Sequence, residues 1–284
     1  VLTQLMLLMK RIRPDYVLSY TIKPVIYGTI AAWTMGVTYR VAMITGVGLA
    51  FTDMSKEKLK MSTRMIIQQL YRLALKLSSK IIFQNPDDRD LFLELGIISR
   101  HQEVAVVNGS GVDLTEFKPV MFKGQQNFLI IARLIASKGI REFVEAARII
   151  KHDNPLVNFT VVGWIDEGKD SIRKEELQGW IDEGTIIYLG FLSDVRPAIN
   201  ECSVYVLPSY REGTPVSVLE AMATGRPIIT SDTPGCRETV LNGENGFLVK
   251  VGNVKSLVDA MNNFILDPTL IVTMGECSLE LVKV

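Results

Sequence analysis

The sequence predicts an α/β protein of the doubly wound class, with parallel sheets covered by helices on both faces. Three observations carry this. Short β-rich runs alternate with helical patterns along the whole chain. Several of those runs are almost continuously apolar, such as Phe128-Leu-Ile-Ile-Ala132 and Tyr205-Val-Leu-Pro208, as strands buried on both faces are. Helix start and stop signals recur between them.

Taken in order, residues 1–9 read as the apolar part of an amphipathic helix, with Lys10, Arg11 and Arg13 behind it. That order is the reverse of a secretory signal. The chain opens at Val1 inside this helix, so a fragment lacking its first strands is expected. Candidate strands follow at Asp15–Tyr20, Tyr39–Thr45, Lys80–Gln84, Val104–Asn108, Asn127–Leu134, Asn158–Gly163, Thr185–Gly190, Ser203–Pro208, Pro227–Ser231 and Gly246–Val249. Asn85-Pro86-Asp87-Asp88 supplies a cap, a first-turn proline and two first-turn acids, and Gly96 closes that helix. Thr214-Pro215 opens another helix and Gly225 follows its end. The polar segment 113–126 divides two βα arrays, which places a domain boundary near residue 120, with domains 1–120 and 121–284. The longest uncharged stretch, residues 24–39, falls short of the ~20 residues that span a bilayer. Two Asp-Glu-Gly triplets, at 166–168 and 182–184, read as turns.

Composition bounds the function. The chain has 284 residues, 48% of them hydrophobic and 22% charged, so a large core is expected and disorder is excluded. Lys+Arg and Asp+Glu both number 31, a balance that argues against a dedicated nucleic-acid binder. The three cysteines, Cys202, Cys236 and Cys277, show no metal-ligand spacing, and an odd number in a chain of this kind fits a reducing compartment. His101 and His152 are the only histidines, both read as surface residues, and His-rich metal chemistry is excluded.

Two constellations carry chemistry. Glu212 and Glu220 are separated by seven residues, directly after the strand Ser203–Pro208. If Pro215 is the first helical residue, Glu220 lies on the helix and Glu212 in the loop before it. Free N–H groups and the positive end of the helix dipole then lie between the two carboxylates. A diphosphate fits there, flanked by diols, because carboxylates only accept hydrogen bonds. Arg133 and Lys138 follow the strand beginning at Asn127 and bracket the start of the next helix. Cations are disfavoured at a helix N-terminus, so a bound anion is expected. Together the two constellations offer both halves of a nucleotide-sugar site.

Three weaker signals accompany them. Residues 56–80 read as a basic amphipathic helix, with Lys56, Lys58, Lys60, Arg64, Arg72, Lys76 and Lys80 against the single acid Glu57. Its apolar positions are Leu59, Ile66, Leu70, Leu73 and Leu77. Such a helix either covers a core or lies on an anionic membrane. Asp88-Arg89-Asp90 has the spacing of a metal motif but is explained by the cap at Asn85, and no metal is expected. Gly46-Val47-Gly48 after a strand could admit a ligand close to the backbone.

The run from Ser209 through Glu212-Gly213-Thr214-Pro215-Val216 and Glu220 to Ile229 resembles the retaining glycosyltransferases of family 4, which have the GT-B fold. Val107–Asp113 with Phe117 and Pro119 agrees, as do Ala132-Arg-Leu134, Val161-Val-Gly163, Tyr188-Leu-Gly-Phe191, Pro234–Glu238 and Asn242–Phe247. Tyr20–Gly28 with Ile44–Gly48 is similar to a bacterial subgroup that adds N-acetylhexosamines or related sugars to polyprenyl-diphosphate-linked glycans. The resemblance implies two Rossmann-like domains with the site in a cleft between them, the first domain truncated at its start and the second lacking its final helix. It implies a UDP-sugar donor, a lipid-linked glycan acceptor and no cofactor or metal. Arg133 and Lys138 would hold the diphosphate. Glu212 would contact the transferring sugar, Gly213 to Val216 would hold phosphate and sugar, Glu220 would take the ribose, and Gly163 and Leu192 would line the base. Catalysis would rest on Glu212, Arg133 and Lys138, and the acceptor side on Tyr20, Lys23, Thr45 and Gly46. Location would be cytoplasmic, peripheral on the inner face of the plasma membrane through helix 56–80. Many members carry a histidine after the strand matching Val41–Thr45, where this chain has Thr45-Gly46. Two other readings stay open: a non-catalytic nucleotide-sugar-binding subunit, and a GT-B nucleotide-sugar epimerase.

Overall fold

The computed structural model describes residues 1–47, 61–122, 124–168 and 170–283, and every expected strand is present in it. The first four, β1 (Tyr16–Tyr20), β2 (Tyr39–Ile44), β3 (Lys80–Phe83) and β4 (Val104–Val106), form a parallel sheet in that order. The other six are β5 (Asn127–Ile131), β6 (Asn158–Val162), β7 (Ile187–Tyr188), β8 (Val204–Leu207), β9 (Ile228–Ser231) and β10 (Gly246–Val249). They form a second parallel sheet in the order β10-β9-β8-β5-β6-β7. The chain divides into two units, Val1–Ser110 and Gly111–Val284, one around each sheet. This is the fold class that the alternation of elements predicts.

In the first unit, helices α1 (Leu2–Ile12), α2 (Ile22–Thr34), α3 (Met61–Leu77) and α4 (Pro86–Glu94) accompany the sheet. Tyr71, Ala74 and Leu75 of α3 bury with Ala42, Ile44, Ile81 and Phe83 of the strands. Phe92 of α4 meets both Tyr71 and Phe83 edge to face, at centroid distances of 5.5 and 5.4 Å. Burial of each such ring contributes about 2–3 kcal/mol. The cap of α4 is the one expected: the Asn85 side chain accepts the Asp88 N–H at 2.8 Å.

The expected helix 56–80 needs correction. Lys56, Lys58, Lys60 and Leu59 lie outside the described residues, and so does Gly48. Lys80 is the first residue of β3, not the end of a helix. The helix stops at Leu77 because the guanidinium of Arg40 takes its carbonyl at 2.7 Å and Ser79 joins β2 through the Arg40 carbonyl. Arg72 does not face solvent as a free cation; it donates to the Gly96 and Leu95 carbonyls behind α4. Ile66, Leu70 and Leu73, which the spacing groups together, are exposed.

In the second unit, α5 (Ile140–Asp153), α6 (Lys174–Asp182), α7 (Arg196–Glu201), α8 (Val216–Ala223), α9 (Val254–Leu266) and α10 (Thr269–Leu281) cover the six-stranded sheet. One contiguous core joins Phe128, Phe143 and Phe159 to Val204–Leu207, Ile228 and Phe264. This unit begins at residue 111, ahead of the boundary expected near 120. The reason is local: Phe117 packs on the second core, Glu116 pairs with Arg196, and the Val120 N–H bonds the Thr224 carbonyl at 3.2 Å. Among the described residues no helix is long and apolar enough to cross a membrane.

Candidate functional site

The second sheet fixes where a ligand would sit. Read outward from β5, its order is that of a dinucleotide-binding sheet, reversing between β5 and β8. Ligands of open α/β sheets bind at the carboxyl ends of the strands, at that reversal. Arg133 follows β5 and Glu212 follows β8, so the two constellations flank it.

Lys138 ends a short 3-10 turn, Ala136–Lys138, and Gly139 caps α5 behind it. Its ammonium pairs directly with the Glu212 carboxylate across the reversal point. The Ser137 carbonyl holds the two loops in register, accepting from the Tyr210 N–H at 2.9 Å and from the Ser209 hydroxyl at 3.2 Å. The Tyr210 hydroxyl donates to Glu142 at 2.6 Å, and that bond with burial pushes the phenol up to about 12.

The Glu212 loop is held from beneath as well. Its N–H donates to the Pro234 carbonyl at 3.1 Å. Gly235 has φ +82°, and a Cβ there would run into the carbonyls of Glu212 and Gly213. Glycine is therefore required for both its conformation and its lack of a side chain. Beside it, burial pushes the Cys236 thiol up to about 12.

Pro215 is the N-cap of α8 rather than its first helical residue, with φ −74° and ψ 112°. Helix geometry starts at Val216, and its N-cap residue makes no side-chain capping bond. The first N–H groups of α8 thus receive no cap from the Pro215 side chain, and they lie next to the buried Gly213 and Thr214. Glu220 is the fifth residue of α8, about 6 Å along its axis. It is half-buried, and desolvation raises its carboxyl above the usual glutamate range.

Gly163 lies at the end of β6, its N–H bonded to the Gly190 carbonyl and its carbonyl to the Tyr188 hydroxyl. Leu192 packs on the core just beyond β7. The expected donor residues therefore gather at the carboxyl edge of one sheet. Tyr20, Lys23, Thr45 and Gly46 belong to the other unit, at the carboxyl ends of β1 and β2, which pair through Tyr20 and Met43. Among the described residues no three His, Cys, Asp or Glu side chains are grouped to hold a metal.

Sequence reasoning missed two features. Asp166, read as part of a chance turn, pairs with Arg133 at 2.8 Å. Trp164 and Phe191 stand edge to face at 5.6 Å beside Gly163, and are 46% and 65% exposed. Only a long-range pairing between loops brings these groups together, and no local spacing signals it.

Residues 1–85 match the family described as glycosyl transferase 4-like, and residues 125–267 match glycosyl transferases group 1. A Campylobacter jejuni protein named N,N'-diacetylbacillosaminyl-diphospho-undecaprenol alpha-1,3-N-acetylgalactosaminyltransferase is 31% identical over 277 residues, covering 92% of this chain and 70% of that protein. The chain belongs to the group 1 glycosyltransferases. This glycosyltransferase is also 26% identical to the Escherichia coli UDP-Gal:alpha-D-GlcNAc-diphosphoundecaprenol alpha-1,3-galactosyltransferase, over 97% of this chain and 73% of that one. Its fold matches Anabaena HepE in complex with UDP-glucose at a TM-score of 0.79 and 20% identity, over 99% of this chain and 77% of the other. The GT-B class implied by the motifs is the class of this glycosyltransferase.

Proposed function

We propose that the chain transfers a sugar, an N-acetylhexosamine or a close relative, from a UDP-sugar to a glycan carried on a polyprenyl diphosphate, with retention and without a metal. The observation that carries this is the Lys138–Glu212 pair across the reversal point of the second sheet. It puts a cation and a diol-binding carboxylate where the reacting end of a nucleotide-sugar would lie. Charge develops on the diphosphate as the anomeric bond breaks. Arg133, Lys138 and the N–H groups opening α8 stabilise that charge. The acceptor oxygen bonds to the anomeric carbon from the face the diphosphate leaves. Its proton passes to the departing phosphate oxygen, so no protein base is required on that face. That fits Thr45-Gly46 standing where many family members have histidine. Glu220 accepts the ribose hydroxyls, and Gly163 and Leu192 flank the base. Tyr20, Lys23, Thr45 and Gly46 serve the acceptor. The relatives' names, both of diphospho-undecaprenol acceptors, support the lipid-linked substrate.

Helix α3 supports contact with a membrane surface; a cytoplasmic side is part of the same proposal. Its exposed Ile66, Leu70 and Leu73 adjoin the exposed Lys76, the pattern of an interfacial helix. Vesicles containing anionic lipid should retain the protein at low salt, and Ile66→Glu with Leu70→Glu should release it. Equal retention of both removes this role. The transfer itself is tested with UDP-N-acetylgalactosamine and a polyprenyl-diphosphate glycan in EDTA, the product's anomeric configuration read by NMR. An α-linked product supports the proposal. An inverted product, or strict dependence on added metal, refutes it.

A further inference from the structure

We propose that Asp166 makes the donor site prefer an esterified diphosphate to a free one, and so promotes departure of the nucleoside diphosphate product. This rests on the donor-site reading above and concerns a residue to which that reading gives no role.

Asp166 engages Arg133 through a single contact, NH1 to Oδ2, which leaves most of the guanidinium fork open. The Asp166 main chain is held in place independently of that contact. Its own carbonyl accepts from the Ser171 hydroxyl. Residues 163–168, which include Asp166, and 170–172 are laced onto the loop of Arg133 and Lys138. Leu134 N–H bonds the Trp164 carbonyl at 2.9 Å, Ile172 N–H bonds the Leu134 carbonyl at 2.9 Å, and Ala136 N–H bonds the Asp170 carbonyl at 2.7 Å. The Ser137 N–H reaches the Asp170 carboxylate at 3.3 Å. The Asp166 main chain is therefore fixed beside the Arg133 loop, and its Oδ1 accepts from the Glu167 N–H at 2.9 Å, so the carboxylate has an anchor besides Arg133.

Each donor-site cation thus carries its own carboxylate: Asp166 on Arg133, Glu212 on Lys138. Those four groups sum to no net charge. From these side chains an anion gains directed hydrogen bonds but little long-range attraction, which is left to the N–H groups opening α8. A diphosphate that is still a sugar ester has one fewer negative charge than the free nucleoside diphosphate left after transfer. A fixed carboxylate at the cation penalises the more highly charged species more. The penalty falls on the product, whose release limits turnover in many enzymes.

The Arg133 and Asp166 side chains are 49% and 36% exposed, so removing the carboxylate strands no buried charge. Asp166→Asn and Asp166→Ser should both fold. Binding of UDP and of UDP-N-acetylglucosamine is measured by calorimetry on the wild type and both variants, at low and high salt. For a partly exposed pair, UDP should tighten about fivefold and the UDP-sugar about twofold or less in each variant. The difference should shrink with salt. Product inhibition by UDP should strengthen in parallel. Weaker binding of both ligands, or equal tightening of both, overturns the proposal and leaves Asp166 a support for Arg133. No binding of either ligand by the wild type removes the donor-site reading itself, and the proposal with it.

Discussion

Replacing Lys138 by Met should expose how far stability and chemistry are separable at the pair with Glu212. The two side chains retain 19% and 12% exposure, so the pair is nearer to buried than to surface. Losing the cation leaves Glu212 as a poorly solvated, unpaired charge. A fully buried partner loss costs about 3–5 kcal/mol; discounted for the remaining exposure, about 1–2 kcal/mol is expected here. For a unit of this size that lowers the melting temperature by about 3–6 °C. Adding Glu212→Gln to Lys138→Met removes the stranded charge, so the double variant should recover most of the loss. Activity should behave oppositely. Lys138→Met should lower turnover about 100-fold with donor saturating, as loss of one preorganised donor to a developing charge does. The double variant should be no better. Thermal melts and initial rates on the same preparations decide this. A double variant no more stable than Lys138→Met means the pair is not coupled. Near-normal turnover by Lys138→Met removes its place in the chemistry.

Three further outcomes are expected. Because burial raises the Glu220 carboxyl, the folded protein carries a penalised charge above that pKa; Glu220→Gln should be more stable at pH 7. The advantage should fade as pH falls through the raised pKa and be gone below the ordinary glutamate value, while UDP binding weakens; equal melts at pH 7 refute the argument. Gly235→Ala should cost stability and turnover together, whereas Gly243→Ala, at φ +86° with nothing within 4 Å of a Cβ, should cost only the roughly 1 kcal/mol of a left-handed alanine; equal losses would mean the collision with the Glu212 loop is absorbed. Maleimide should label the exposed Cys277 rapidly and leave Cys202 and Cys236, both buried with thiols pushed up to about 12, until the chain unfolds; early labelling of Cys236 would show that the loop under Glu212 opens.

The strands were legible because burial on both faces writes itself into short sequence windows. Phe128–Ile131 and Val204–Leu207 are apolar without alternation, and both are central in the second sheet. Even β7, with only Ile187 and Tyr188 in the ladder, was found from its apolar centre, though its ends were not. Helix α3 resisted for a reason that the same logic explains. Its buried residues, Tyr71, Ala74 and Leu75, include an aromatic with a hydroxyl and a small residue. Three of its large aliphatics, Ile66, Leu70 and Leu73, face outward. A reading that assigns the strongest apolar stripe to the core inverts such a helix, and the exposed stripe is what calls for a partner surface.

The site was legible to the extent that its groups follow strands. Arg133 and Glu212 each stand in the loop after an apolar run, and the strand order brings those runs side by side. What sequence could not supply is the counter-charge. A spacing rule sees Arg133 and Lys138 as two uncompensated cations and infers a strong anion trap. In the folded unit Asp166 answers one from 33 residues away and Glu212 the other from 74. On the proposed donor-site reading the site is poised rather than strongly attractive, and its selectivity lies in which anion tolerates two carboxylates. A diphosphate ester with directed contacts on either side of its phosphates can do so; a simple anion offers charge without the second set of contacts. Inorganic phosphate should accordingly compete poorly with the nucleotide at this site, although both present the same oxygens to Arg133 and Lys138.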